Sequence, residues 1–412
     1  MSTSPPRLHY GWVIVALAAL VVAAALGLAR FSYSLLLPPM QAGLGMANTQ
    51  AGALATVEMV GYLATSLAAG LLAARASPRR LVTAGLILAG AGMLLTAAAR
   101  DVWMAGLGRV IVGMGSGASN VPVMGLMLAW FAPQRRGIAS GLAVSGSSVA
   151  IIIVSPLVPR LIAAYPVDGW RLCWLLFGGI TLGVALLAGL RLRDRPEEMG
   201  LAPVGAASTG GGAARGRGAL AWGEVYRSRL VWHLGAVYAT FGFSYIIYLT
   251  FFNKRLLAEG GYTPVAAGSL FMVFGWFSLG CGLLWGAISD AIGRRPALAL
   301  VLAIHALAFA LFGLATAPAG FLVSTILFGL TAWSVPAIMA AFCGDTLSPR
   351  MVPAALGFIT LFFGAGQALG PGVAGALADA RGSFVPAYLL AAAIAAAGAA
   401  GALLLRPSPH KR

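Results

Sequence analysis

The chain has 412 residues, 60% of them hydrophobic and only 9% charged, with long apolar stretches recurring throughout. That composition excludes an ordinary soluble domain and describes a chain that crosses a membrane many times. The formal net charge of +16 does not point to nucleic acid, because the basic residues sit in short segments between apolar runs.

Taken in order, the apolar runs predict twelve spans, at about 10–37, 48–72, 81–99, 102–130, 137–163, 170–191, 229–252, 264–288, 296–316, 319–345, 352–378 and 384–405. Each is long enough to cross a hydrocarbon core about 30 Å thick as a helix, which satisfies its own backbone hydrogen bonds. Met1 to His9 do not open a cleavable signal, since the run that follows is too long for one. If the N-terminus is cytoplasmic, nineteen Lys and Arg residues fall on that side and six on the other, with Arg30 and Arg109 inside spans. This asymmetry predicts both termini in the cytoplasm. The low Lys content of an Ala- and Arg-rich chain suggests a bacterial inner membrane.

The first span carries Gly27-Leu28-Ala29-Arg30-Phe31-Ser32-Tyr33, with Arg30 its one charge. A guanidinium at that depth costs about 2.5–3.5 kcal/mol and needs either a partner or a water-filled cavity. Two readings follow: Arg30 is paired with a nearby acid, or it awaits an anionic solute. Glu58 in span two is the only acid well inside a span. At 1.5 Å per residue it reaches a depth comparable to Arg30, so a fixed Arg30–Glu58 pair and a proton-accepting Glu58 are both expected. Arg109 in span four is the second buried arginine, expected to pair with a side chain or to cap backbone.

The longest polar segment, 192–228, contains the Gly-rich run Thr209 to Gly218, a flexible linker by composition. Beyond it, Ala221 to Arg227 fits a short interfacial helix. The predicted organisation is a six-helix bundle over 1–192, a cytoplasmic linker over 193–228 and a second six-helix bundle over 229–412. The halves are related by a shift of 214–216 residues: Gly27 falls on Gly242, Arg30 on Tyr245, Tyr33 on Tyr248, Gly141 on Gly357 and Pro156 on Pro371. This is a parallel internal repeat, the kind that places a binding site at the midplane between two bundles. Tyr245 and Tyr248, one turn apart, occupy in span seven the place of Arg30 and Tyr33, and these residues form the expected binding cluster. Asn120 in span four and Trp333 in span ten are further pocket candidates, and Gln367 in span eleven is divided between packing and cavity roles. Cys173, Cys281 and Cys343 suit neither a disulfide framework nor a metal site and read as packing residues. His305 and His233 read as ordinary packed or peripheral residues. No cofactor is implied.

The loop after span eight reads Gly286-Ala287-Ile288-Ser289-Asp290-Ala291-Ile292-Gly293-Arg294-Arg295, and span four reads Gly108-Arg109-Val110-Ile111-Val112-Gly113-Met114-Gly115-Ser116-Gly117. With twelve spans and a parallel repeat, these resemble signatures of the major facilitator superfamily of transporters. The resemblance implies an all-α membrane fold and transport by alternating access. It also implies that Asp290, Arg294 and Arg295 form a latch between the halves, and that Arg109 has a structural or proton-coupling role. The first-half copy of the loop, Gly70 to Arg79, has Ala74 in place of the acid.

Tyr10-Gly11-Trp12, Trp130 to Gly137, Gly169-Trp170-Arg171 and Arg195 to Leu201 resemble the monocarboxylate and oxalate–formate branch. That branch often carries an acid and an arginine in span eight, where this chain has no charge before Asp290. The expectation is a monomeric, proton-coupled carrier of a small organic anion. One alternative is a proton-driven drug or metabolite exporter, against which Ser155 and Pro159 depart from the exporter signature in span five. The other, a membrane-embedded sensor or enzyme, finds no effector domain, nucleotide loop or metal cluster in the sequence.

Overall fold

The computed structural model describes residues 9–72, 76–205, 222–348 and 350–405. The loop copy around Ala74, the Gly-rich run 209–218 and both chain ends lie outside the described residues. The helices are α1 (Tyr10–Leu44), α2 (Asn48–Leu72), α3 (Pro78–Ala97), α4 (Val102–Trp130), α5 (Pro133–Ala164), α6 (Gly169–Arg191), α7 (Arg229–Ala258), α8, α9 (Arg294–Leu314), α10 (Pro318–Thr346), α11 (Val352–Arg381) and α12 (Val385–Leu403). Eleven of these are single helices long and apolar enough to cross a membrane. The twelfth, α8, is a pair, α8a (Pro264–Ser278) and α8b (Cys281–Ile292), bent by 43°. The fold is all-α, and among the described residues the one β-bridge joins Phe131 to Val204.

Two departures from the apolar pattern shape the centre. The first span continues through Pro38 and Pro39 to Leu44, because each proline removes only one N–H and the surrounding helices tolerate it. Inside it, Ala23–Phe31 winds as a π-helix, a wider coil that inserts extra residues and turns following side chains to a new direction. Arg30 sits at the end of this segment. In the second half, α10 is interrupted between Gly329 and Ser334, level with the break in α8. The two breaks are braced together: Trp285 Nε1 donates to the Leu330 carbonyl (2.8 Å) and the Trp333 N–H to Cys281 Sγ (3.3 Å).

The halves meet along α2 with α11, α5 with α8a, and α1 with α7. The face where α1 begins is the near face, and the face of the α1–α2 turn is the far face. Hydrogen bonds joining the halves run from mid-membrane to the far face. They include Ser148 Oγ with Ser278 Oγ (2.9 Å) and Trp333 Nε1 (3.1 Å), Arg30 with Tyr245 (3.2 Å), Asn253 Nδ2 with Ser34 Oγ (3.1 Å), and, at the far face, the Asn48 and Thr49 N–H groups with the Asp379 carboxylate (3.1 and 2.7 Å).

The 193–228 segment is less uniform than its composition suggests. Pro196–Met199 forms a 3-10 turn, and Val204 exchanges backbone hydrogen bonds with Trp130 and Ala132 (2.8 and 3.0 Å). Apolar Val204 and Leu201 fasten this stretch to the first half. The expected short helix is present as Trp222–Arg227.

Three glycines, Gly61, Gly113 and Gly117, let α2 and α4 approach backbone to backbone, and Gly113 is the tightest. A Cβ on Gly113 would lie 1.9 Å from the Glu58 carbonyl oxygen, whereas one on Gly125 would meet nothing within 4 Å. Gly113→Ala should therefore lower thermal stability in detergent by about 1–3 kcal/mol through forced separation of packed backbones. Gly125→Ala should leave it unchanged, and equal melting of the two variants would contradict this packing.

Candidate functional site

The centre contains three charged side chains, and their pairing differs from the expectation. Glu58 is 1% exposed and Arg109 is fully buried. They form the ion pair: Arg109 Nη2 donates to Glu58 Oε2. Arg109 Nη1 donates to the Ala29 carbonyl at 2.9 Å, and its guanidinium lies 4.5 Å from the Tyr33 ring and 5.0 Å from that of Trp174. The expected fixed Arg30–Glu58 pair is thus replaced by an Arg109–Glu58 pair. Arg109 combines both expected roles, pairing an acid and capping backbone. Helix rise gives depth but not direction around the axis, and the close α2–α4 contact at Gly113 gives Arg109 first access to Glu58.

Arg30 is left with neutral partners. Its Nη2 donates to Tyr245 Oη, and its guanidinium lies 5.4 Å from the Tyr62 ring and 5.8 Å from that of Phe31. Gln367 Nε2 also donates to Tyr245 Oη. A phenol oxygen has two acceptor sites, so with both engaged its own hydrogen is the group it can still offer. Arg30 and Glu58 nevertheless line one small cavity of about 10 Å³, the room one water needs. A change of charge on Glu58 is therefore felt at Arg30.

Of the other expected residues, Tyr33 donates to the Ala51 carbonyl (2.8 Å) and backs the ion pair with its ring. Asn120 Nδ2 donates to Tyr62 Oη (2.9 Å). Trp333 packs on Phe31, ring centroids 5.1 Å apart. Tyr248 does not join them. Its hydroxyl meets Ser324 Oγ (3.0 Å), and its ring packs among Phe309, Phe312 and Phe328 inside the second half. Three residues turn a helix through about 300°, and the missing 60° puts Tyr245 on the interface and Tyr248 behind it. His305 is also in that aromatic packing, stacked on Phe241 and Phe309.

The expected latch closes within one half. Arg294 pairs with Asp290 and, through Nε, with Asp345 (2.8 Å), while its Nη1 donates to Ser289 Oγ (2.7 Å). Arg295 donates to the Leu403 carbonyl. These bonds tie α8b, α9, α10 and α12 together instead of joining the halves. Asp345, which the sequence does not single out, is the second acid that holds Arg294.

Tyr62 was also missed, although it lies four residues after Glu58, on the same helix face. Exposure within the cluster is graded. Tyr62, Asn120 and Trp333 are half-buried, whereas Glu58, Arg109 and Tyr33, farther toward the far face, are buried. Exposure in the cluster therefore rises toward the near face.

Arg109→Leu would leave the Glu58 carboxylate buried without its cation, and should cost about 3–5 kcal/mol of stability. Glu58→Gln keeps an acceptor for Arg109 and should cost less. Melting of the purified variants checks the order, and an Arg109→Leu protein as stable as the parent would contradict the pairing.

Comparison with known proteins adds to this geometry. Residues 22–403 match the family model described as "Uncharacterised MFS-type transporter YbfB". The chain is 27% identical to monocarboxylate transporter 3 of Rattus norvegicus over 94% of this chain and 78% of that protein. It is 24% identical to the probable sulfoacetate transporter SauU of Cupriavidus necator over 92% and 90% of the two chains. In structure it is similar to a bacterial homologue of the human lysosomal transporter Spinster, crystallised in an inward-facing, unoccupied conformation. That match has a TM-score of 0.76 and 17% identity, and covers 98% of this chain and all of the other.

Proposed function

The chain belongs to this family of MFS-type transporters, and on that premise we propose that it carries a small organic anion across a bacterial inner membrane by alternating access, coupled to a proton. The observation that carries the reading is the charge balance at the centre. Arg109 takes the Glu58 carboxylate, so among the described residues the Arg30 guanidinium is in contact with a tyrosine hydroxyl and aromatic faces but is ion-paired with no acid. A buried cation is costly without a counter-charge, and a carboxylate or sulfonate arriving from the near face supplies one. Two of the relatives carry names of anion transporters, monocarboxylate and sulfoacetate, which supports the same class.

In this reading Arg30 binds the anion head and the Tyr245 hydroxyl donates to it, with Gln367 holding Tyr245 in place. Tyr62, Asn120 and Trp333 surround the remainder of the solute. Tyr33 supports the ion pair. Glu58 carries the coupling proton: once protonated it releases Arg109, and through the cavity shared with Arg30 the local positive charge rises, favouring the anion. Proton and anion then travel together. The Lys and Arg asymmetry supports a cytoplasmic near face.

The test is uptake into proteoliposomes of a labelled panel of carboxylates and sulfonates, with and without an inward proton gradient. One anion is expected to show gradient-stimulated uptake. Arg30→Gln should weaken its apparent affinity about 30-fold or more, the effect of removing one partner of a buried charge pair. Glu58→Gln should abolish the response to the gradient while leaving anion exchange. Full transport by Arg30→Gln would overturn the anion role, and a gradient response retained by Glu58→Gln would overturn the coupling role.

A further inference from the structure

We propose that Asp379 is the residue that holds the far side of the protein shut, by capping a helix that belongs to the other half. The carboxylate stands near the end of α11, and its partners are the first residues of α2. Oδ1 accepts from the Asn48 N–H at 3.1 Å. Oδ2 accepts from the Thr49 N–H at 2.7 Å and from the Thr49 hydroxyl at 2.6 Å.

The start of α2 explains why this bond matters. The first N–H groups of any helix lack partners inside it, and a Ser, Thr, Asp or Asn ahead of the helix ordinarily supplies one. Here the preceding residue is Ala47, which has no side-chain oxygen. Gln50 does its part of a capping box by accepting from the Ala47 N–H at 2.9 Å. The other part is supplied from the opposite half by Asp379. Its negative charge also faces the positive end of the α2 dipole.

The backbones beneath the cap are in contact. A Cβ on Gly375, one turn before Asp379, would lie 2.2 Å from the Asn48 carbonyl oxygen. A Cβ on Gly52 would lie 2.2 Å from that of Pro371. Helices α2 and α11 therefore touch backbone to backbone at these two glycines, and the far side cannot open without taking Asp379 from Asn48 and Thr49. Losing the cap exposes three donors at once. Asp379 favours the conformation in which the far face is closed and the Arg30 site is reached from the near face. The near-face acid Asp290 is held inside its own half by Arg294, so the polar locking of the two faces is unequal.

This inference rests on the alternating-access reading but not on the identity of the solute, and its test needs no solute. Spin labels are placed at Val167→Cys and Thr316→Cys, exposed far-face positions in different halves, with Cys173, Cys281 and Cys343 replaced by alanine. Distances are read by double electron–electron resonance in lipid nanodiscs. Asp379→Ala is expected to move population to longer far-face distances, lowering the closed-to-open ratio about fivefold, the scale of a lost helix cap. Thr49→Val should act in the same direction and more weakly, and the double variant should do no more than Asp379→Ala alone. If Asp379→Ala does not fold, Asp379→Asn and Thr49→Val decide. Distance distributions that stay at the parent's in the folded variants would overturn the proposal, as would effects of Asp379 and Thr49 that simply add. An empty uptake panel beside a shifted distribution would count against the anion reading alone.

Discussion

The buried pair between Arg109 and Glu58 is the interaction on which the centre depends. It places opposite charges from α4 and α2 in contact where both side chains are buried, and a broken pair there is far more costly than an absent one. The pair is supported from the arginine side: the Ala29 carbonyl takes a second Arg109 nitrogen, and the Tyr33 and Trp174 rings flank the guanidinium. Because Arg109 satisfies the acid, Arg30 stays electrostatically available. In the proposed function, the site for an anion rests on the difference between two arginines and one carboxylate.

Local backbone makes that arrangement possible. The π-helical turn Ala23–Phe31 presents Arg30 to the interface and the Ala29 carbonyl to Arg109. Gly113 removes the one Cβ that would separate α4 from α2 at Glu58. The second half contributes neutral groups at the matching height, Tyr245 from α7 and Gln367 from α11. Its interrupted helices α8 and α10 bring Trp333 against Phe31 and Ser148. The charged first half and the neutral second half thus meet as unlike surfaces built on one repeated plan.

Much of this was legible in the sequence, for identifiable reasons. Span number and length follow from hydropathy alone, since a helix is the form in which an apolar segment satisfies its backbone in lipid. The repeat shift of about 215 residues aligns Arg30 with Tyr245, and these two residues meet by hydrogen bond. Residues beside a two-fold axis face their own repeat mates, so an internal alignment can predict a contact. What failed was azimuth. Arg30 and Arg109 were both at plausible depth for Glu58, and only the packing of α2 on α4 selects between them. Tyr248 turned away for the same reason. The inter-half bonds of Asp379 and the intra-half bond of Asp345 involve helix ends, where composition gives a boundary but not the neighbour across it.

The central claim is that Arg30 is the positive charge left available to a solute while Arg109 is occupied by Glu58. Calorimetric titration of the purified protein with the carboxylate and sulfonate panel tests it most directly. The account predicts saturable binding of an anion by the parent, retention of that binding in Tyr248→Phe, and its loss in Arg30→Gln. Undiminished binding by Arg30→Gln would contradict it.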